Sequence, residues 1–146
     1  MLGNFKKAIF RVLCLGCVLI GGGGGLMAEP TPEELFNLGM LSYDKQDFSK
    51  ARKYFEKACD LNISGGCSNL GALYYNGEVV EKDLIKAAYL YSRACELKEG
   101  DGCGALGALY YNGDGVKQDS KKAAALFEKA CKLGYKKACE MLKELR

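Results

Sequence analysis

The sequence has 146 residues, about the size of one domain, and contains no histidine, no tryptophan and only two prolines. Without histidine the chain cannot form a Ser-His-Asp triad, a Cys-His pair or an imidazole metal site. Glycine and cysteine, by contrast, occur 19 and 8 times, which is unusually often for this length. The composition therefore excludes several hydrolase and metalloenzyme classes and says more about architecture than about a reaction.

An excess of one charge is also missing from most of the chain. The formal net charge of +3 comes from Lys6, Lys7 and Arg11, because residues 1–28 contain no acidic side chain. Residues 29–146 carry 18 basic and 18 acidic side chains. Since phosphate neutralisation supplies much of the affinity for nucleic acids, we expect no nucleic-acid partner.

Residues 1–28 have the three parts of a secretory signal peptide. The basic region ends at Arg11, an apolar run covers residues 12–27, and Ala28 offers a small residue for cleavage before Glu29. The run is shorter than the roughly 20 residues of a membrane span and contains six glycines. We therefore expect no permanent membrane anchor, cleavage near Ala28, and secretion to the periplasm or the cell exterior.

The sequence Leu15-Gly16-Cys17 gives an alternative, because it resembles part of a lipoprotein cleavage box with Cys17 as the lipidated residue. That processing would leave an apolar, glycine-rich tail in front of the domain. Signal-peptide cleavage is the favoured prediction, and it removes both Cys14 and Cys17.

An internal repeat of 36 residues is the strongest pattern in the chain. The segment 70–77 (LGALYYNG) recurs unchanged as 106–113, and Phe55, Tyr91 and Phe127 follow the same spacing. An earlier unit around residues 37–39 has four fewer residues before its second half. Repeats of this length are typical of solenoids built from stacked supersecondary units.

Each period predicts two helices. Residues at i, i+3, i+4 and i+7 share one helical face, as in Cys67, Leu70, Gly71 and Tyr74. Several residues mark predicted helix ends: the capping box Thr31-Pro32-Glu33-Glu34, the stop Asn76-Gly77 and the cap Asp83.

Three glycines lie inside the predicted helices, where glycine costs stability unless a neighbour needs the space: Gly39, Gly71 and Gly107. Close approach of a partner helix is the ordinary reason for such a position. Helix pairs of this kind cannot bury their apolar faces alone. The predicted fold is therefore all-α, a right-handed α/α superhelix of stacked helix hairpins.

Six cysteines remain in residues 29–146, in pairs separated by seven residues: Cys59/Cys67, Cys95/Cys103 and Cys131/Cys139. In each pair the first lies near the end of one helix and the second near the start of the next. An even count in an exported chain indicates disulfides, and although six cysteines allow fifteen connectivities, only the local one is identical in every unit. The spacing is unlike the short C-x₂₋₄-C knuckles of zinc sites, so we predict disulfides and no metal.

The unit with L-G-x-L-Y-x-x-G, then K-A, then A-C resembles the Sel-one-like repeat, a relative of the tetratricopeptide repeat. The cysteine pairs, the stretches Ala58–Leu61 and Ala94–Leu97, and the leader resemble the Helicobacter cysteine-rich protein family. The resemblance covers almost all of a domain over residues 29–146, with about three and a half units. It implies penicillin binding, slow β-lactam hydrolysis, and a host or cell-envelope protein as partner. We expect no cofactor.

A serine β-lactamase carries an S-x-x-K motif, which Ser42-Tyr43-Asp44-Lys45 matches. The accompanying K-T-G and S-D-N motifs do not occur in the chain. Ser42 and Lys45 are thus candidates for a catalytic pair, and the alternative is a polar turn between two helices. Metallo-β-lactamase chemistry is excluded, because its zinc sites need histidine.

The alternative function is a non-catalytic recognition scaffold that binds peptide-like ligands, cell-wall fragments or a protein. In helical repeats the first helix of each unit lines the concave face. Asn37 and Asn69 occupy equivalent first-helix positions, and each amide has both a donor and an acceptor for a peptide group. Ala105 stands at this position in the third unit, and both asparagines being simply solvated is the other interpretation. We expect a monomer.

The exported protein should begin near Glu29 and contain no free thiol, because cleavage removes Cys14 and Cys17 and the other six cysteines are paired. Intact-mass spectrometry after alkylation under denaturing, non-reducing conditions measures both properties. A retained leader, a lipid on Cys17 or an alkylated cysteine would contradict the corresponding part.

Overall fold

The computed structural model describes residues 28–78 and 81–146, so the predicted leader over residues 1–27 lies outside the described residues. Within these ranges the secondary structure is helical throughout, and no helix is long and apolar enough to cross a membrane. The helices are α1 Pro32–Asp44, α2 Phe48–Asp60, α3 Ser64–Asn76, α4 Leu84–Glu96, α5 Gly100–Asn112, α6 Ser120–Lys132 and α7 Lys136–Leu145.

The helices form a stack of hairpins, α1/α2, α3/α4 and α5/α6, with α7 packed on α6. Each helix packs against the next one along the chain, and α1 also touches α3. The connection inside the first hairpin covers residues 45–47, whereas those inside the next two cover 77–83 and 113–119. This difference accounts for the four residues missing from the first unit, and the all-α prediction is confirmed.

The ends of the helices follow from local chemistry that repeats along the stack. The side chains of Asp47, Asp83 and Asp119 accept hydrogen bonds from backbone N–H groups in the first turns of α2, α4 and α6, at 3.2, 3.0 and 3.0 Å. Gly77 and Gly113 end α3 and α5 with φ of 69° and 78°, a left-handed conformation that glycine adopts without strain. The predicted cap at Asp83 and the predicted stop at Asn76-Gly77 are both confirmed.

The glycines inside the first helices lie directly on aromatic rings of the second helices. A Cβ atom added at Gly39 would lie 2.6 Å from the ring of Phe55, and one added at Gly107 would lie 2.8 Å from the ring of Phe127. At Gly71 the distance to the ring of Tyr91 would be 3.0 Å. A Cβ atom at any of the three positions would require the ring to shift, so the predicted reason for the glycines, close approach of a partner helix, is confirmed.

Three disulfides have the predicted local pairing: Cys59–Cys67, Cys95–Cys103 and Cys131–Cys139. Each joins the end of a second helix to the start of the following first helix, with Cα–Cα distances of 4.6, 4.5 and 4.8 Å. The bonds therefore fasten each hairpin to the next element of the stack. Gly66 and Gly102, one residue before the second cysteine of a pair, face Ala58 and Ala94 and allow this close approach.

Reduction of the three disulfides should unfold the domain or lower its thermal midpoint strongly. Closing a nine-residue loop stabilises by about 2.5 kcal/mol in the chain-entropy account, so three loops contribute roughly 7–8 kcal/mol. Total stabilities of ordinary domains are about 5–15 kcal/mol. Circular-dichroism melts with and without reductant measure the effect, with bond cleavage verified by mass. An unchanged midpoint in the fully reduced protein would show that helix packing alone suffices.

Candidate functional site

The predicted ligand-contacting asparagines lie on the first-helix face, which is the exposed side of α1, α3 and α5. Asn37 is exposed on α1, and Asn69 is half-buried on α3. The side-chain nitrogen of Asn69 donates a hydrogen bond to the carbonyl of Gly65 at 2.9 Å, which leaves its oxygen available as an acceptor. Contact of either asparagine with a ligand stays a prediction.

A hollow of about 180 Å³ opens on the first-helix face between α3 and α5. We name it the tyrosine hollow; its walls are Tyr75 of α3, Tyr91 of α4, and Ala105, Ala108, Leu109 and Asn112 of α5. Two tyrosines and an amide therefore surround an apolar floor, which is the composition expected of a small recognition site.

The tyrosine hollow forms where the repeat departs from its own pattern. Ala105 occupies the position that Asn69 occupies one unit earlier, so a smaller side chain lies at the floor. At the position of Tyr91 the other units have Phe55 and Phe127. The two differences together supply space and one additional hydroxyl.

Tyr91 is a candidate binding residue that the sequence analysis did not single out. Tyr91 is 8% exposed, against 0% for Phe55 and 1% for Phe127, and it lines the hollow. Burial, and then the neighbouring Tyr75, raises the pKa of Tyr91 to about 12, so the hydroxyl stays protonated near neutral pH. The hydroxyl of Tyr91 forms no hydrogen bond with any of the described residues. Most buried tyrosine hydroxyls in proteins do have such a partner. The signal was present in the sequence as a tyrosine at a phenylalanine position.

The neighbouring tyrosines are each covered by a lysine side chain. The ammonium groups of Lys86, Lys122 and Lys82 lie 5.1, 4.6 and 5.6 Å from the ring centroids of Tyr74, Tyr110 and Tyr75. Tyr74 and Tyr110 are partly buried between helices, whereas Tyr75 keeps an exposed edge on the first-helix face. Of each Tyr-Tyr pair, the second residue is thus the one that a ligand on this face can reach.

The S-x-x-K residues lie at the end of α1. Ser42 is buried, and its hydroxyl donates a hydrogen bond to the carbonyl of Leu38 at 2.8 Å. Lys45 follows the helix and is exposed. A serine nucleophile needs an adjacent group that accepts its proton, and the contacts of Ser42 in the described chain include no such base. The catalytic role of this pair stays a prediction.

Metal-ligating side chains are not clustered in the part of the chain that the structure covers. No group of three or more cysteine, aspartate or glutamate side chains there is placed to hold an ion. The chemistry available at the tyrosine hollow is therefore hydrogen bonding by hydroxyl and amide groups, together with apolar contact.

Comparison with protein families defines the class. The Sel1 repeat matches residues 64–99 and 100–135, and the tetratricopeptide repeat matches residues 32–63. These boundaries coincide with the hairpins of the structure. The protein is a Sel1-type α-solenoid.

Known relatives identify the family within this class. The solved structure of Helicobacter pylori cysteine rich protein B is 42% identical, with a TM-score of 0.67 over 74% of this chain and 88% of that one. "Putative beta-lactamase HcpC" of Helicobacter pylori is 61% identical over 84 residues, which are 58% of this chain. "Beta-lactamase HcpA" of the same species is 52% identical over 84 residues, also 58% of this chain. The chain belongs to the Helicobacter cysteine-rich protein family.

The chain matches only a part of its curated relatives. The aligned segment spans 28% of the length of HcpC and 32% of the length of HcpA. Fold and family are therefore common to these proteins over the matched repeats.

The unfolding free energy should fall between about pH 10 and pH 12, partly through Tyr91. Below pH 10 the hydroxyl is protonated in both the folded and the unfolded state and has no effect on this pH dependence. Above pH 10 the unfolded chain releases the proton at its ordinary pKa, while the folded state retains it to about pH 12. The difference between a pKa of 10.0 in the unfolded chain and about 12 in the folded state corresponds to a loss of about 2–3 kcal/mol in the free energy of unfolding.

Urea unfolding at half-unit pH steps from 9.5 to 11.5 measures this loss. Tyr91→Phe should show a shallower loss than the wild type, and Tyr111→Phe, which removes an exposed hydroxyl, should keep the wild-type slope. Equal slopes for the wild type and Tyr91→Phe would contradict the assignment.

Proposed function

We propose that this protein is an exported recognition protein that binds peptide-like ligands, β-lactams among them, on its first-helix face. The observation that carries the proposal is the tyrosine hollow, with the protonated hydroxyl of Tyr91 facing it without a partner among the described residues. Because the hollow is open, a ligand oxygen that accepts a hydrogen bond from Tyr91 replaces a hydrogen bond to solvent, and the net gain is about 0.5–1.5 kcal/mol.

The size of the hollow limits what it holds. Sites that bury most of a drug-sized ligand have volumes of about 300–1,000 Å³. The tyrosine hollow, at about 180 Å³, is smaller, so it takes one residue or one ring of a ligand. The rest of a longer ligand would lie along the first-helix face toward Asn69 and Asn37.

The polar groups of the hollow suit a peptide unit. Asn112 has an amide nitrogen that donates and an oxygen that accepts, while the hydroxyls of Tyr75 and Tyr91 donate to carbonyl or carboxylate oxygens. Ala105 and Ala108 provide apolar contact for a small side chain. A peptide with a terminal carboxylate and a β-lactam both present an amide carbonyl and a carboxylate, which makes them members of one ligand class.

Export agrees with the chemistry of the fold. Disulfides persist in oxidising compartments such as the periplasm or the cell exterior and are rare in the cytosol. We therefore infer that residues 1–28 are the secretory leader and that residues 29–146 form the mature repeat domain.

Slow hydrolysis of β-lactams is the second candidate function. Its support is the names of HcpA and HcpC, to which 84 residues of this chain are 52% and 61% identical, respectively. In this alternative Ser42 would be the nucleophile, and its hydroxyl would have to leave the carbonyl of Leu38 before attacking.

Tyr91→Phe should weaken binding of benzylpenicillin and of an acetylated peptide ending in D-Ala-D-Ala by about two- to tenfold, the effect of losing one hydrogen bond. Ala105→Asn, which installs the residue of the preceding unit, should weaken it further by filling the hollow. Tyr89→Phe, which removes an exposed hydroxyl of α4 outside the hollow, is the matched control and should bind like the wild type. Titration calorimetry with disulfide-intact protein measures the affinities, and thermal melts verify folding. Unchanged binding by both hollow variants would refute the proposed site.

Turnover of nitrocefin separates the two functions. Loss of turnover in Ser42→Ala, together with retained turnover in Tyr91→Phe, would favour the hydrolase and the S-x-x-K pair over the recognition protein.

A further inference from the structure

A second, larger concavity lies on the other side of the stack. We name it the second-helix groove, and its volume is about 420 Å³. Its two walls are α4 and α6, and residues of α5 form its floor. Both α4 and α6 pack on α5 and not closely on each other. The residues of the second-helix groove that matter below are Ile85, Ala88, Tyr89, Ser92, Lys122 and Lys129.

The preceding pair of second helices, α2 and α4, is bridged instead. Arg93 of α4 donates hydrogen bonds to the carbonyl of Cys59 at 3.2 Å and to Oδ1 of Asn62 at 3.1 Å. Lys129 is the residue at this position in α6, and within the described ranges its ammonium group has no hydrogen-bond or ion-pair partner. The bridge that ties α2 to α4 is thus absent between α4 and α6.

Two small side chains on the α4 wall leave space in the second-helix groove. Ala88 and Ser92 stand where α2 has Arg52 and Glu56, which form an ion pair at 3.5 Å. Because the α4 wall has no long side chains at these two positions, the groove has room there for atoms of another molecule.

The α4 wall is apolar and faces solvent. Ile85 is 73% exposed and Tyr89 is 60% exposed, the two highest values among large hydrophobic side chains of the described residues. The equivalent residues of α2 are Ser49 and Lys53, and those of α6 are Lys121 and Ala125. This apolar pair therefore occurs in one unit of the repeat only, and packing inside the stack does not require it. Exposed apolar surface of this kind marks contact sites.

The α6 wall is basic. Lys122 and Lys129 lie seven residues apart, so they are separated by about 10 Å, or two helical turns, along α6. Glu96 is the single acidic residue of the lining. The exposed apolar side chains of Ile85 and Tyr89 thus lie across the groove from two ammonium groups, and those two groups are spaced like residues on one face of a helix.

We propose that the second-helix groove binds an acidic amphipathic helix of a partner protein. Apolar side chains of that helix contact Ile85 and Tyr89, and carboxylates two turns apart pair with Lys122 and Lys129. This is the helix-in-groove mode of recognition, with charge complementarity setting the orientation. The surface is separate from the tyrosine hollow, so this inference does not depend on the proposed function.

The test uses a fluorescein-labelled, helix-stabilised peptide of 15 residues with two glutamates seven positions apart and leucines on the adjoining face. Fluorescence anisotropy with the disulfide-intact protein measures binding, and an otherwise identical peptide with lysines for the glutamates is the control. The acidic peptide should bind at least about tenfold more tightly than the basic one, and more weakly as salt increases.

Variants taken from the chain itself locate the site. Ile85→Ser installs the residue of α2, and Lys129→Glu reverses one wall charge; each should weaken binding by about three- to tenfold. Lys121→Glu makes the same charge change on α6 outside the lining and should bind within about twofold of the wild type. None of these variants should change benzylpenicillin binding, because none touches the tyrosine hollow.

Three results would overturn the proposal. They are no preference for the acidic peptide, equal effects of Lys129→Glu and Lys121→Glu, or unchanged binding by Ile85→Ser. Sedimentation analysis adds a fourth: a dimer of the wild-type protein that Ile85→Ser dissociates would assign the groove to a second copy of this chain.

Discussion

The contact between a helix glycine and an aromatic ring sets the geometry on which the remaining structure depends. At Gly39, Gly71 and Gly107 the backbone of a first helix lies against the ring of its second helix, so close that a Cβ atom would require the ring to shift. This contact restricts the position of each ring. The ring of Tyr91 carries a hydroxyl, so the contact that packs the second hairpin also restricts where the donor of the tyrosine hollow lies.

Both proposed binding surfaces lie where one unit differs from its neighbours. The tyrosine hollow depends on Tyr91 and Ala105, and the second-helix groove depends on Ile85, Tyr89 and Lys129. In a solenoid each unit contacts mainly its neighbours, so the identical positions carry the stacking. Differences at other positions alter a surface with little effect on the stack, which lets one scaffold present two unlike sites on opposite sides.

The fold could be predicted in detail because the same caps, turns and cysteine spacings recur in successive units of the repeat. Helix order, the cap at Asp83, the stop at Gly77 and the cysteine pairing all depend on short-range chemistry. The tyrosine hollow was not predicted, because its walls come from three helices and its volume depends on how far α3 and α5 stand apart. The second-helix groove was missed for the same reason: the absence of a bridge from Lys129 is visible only beside the bridge that Arg93 makes.

The positions of the disulfides give proteolysis different consequences in the turns between hairpins and in the turns inside them. The turns at 61–63, 97–99 and 133–135 each lie inside a covalent ring, so a chain cut there stays one molecule under oxidising conditions. The longer turn at 113–119 lies between rings, and a cut there divides the chain covalently. Proteolysis at a junction between hairpins therefore leaves the chain covalently continuous, whereas proteolysis in the turn at 113–119 separates it into two pieces.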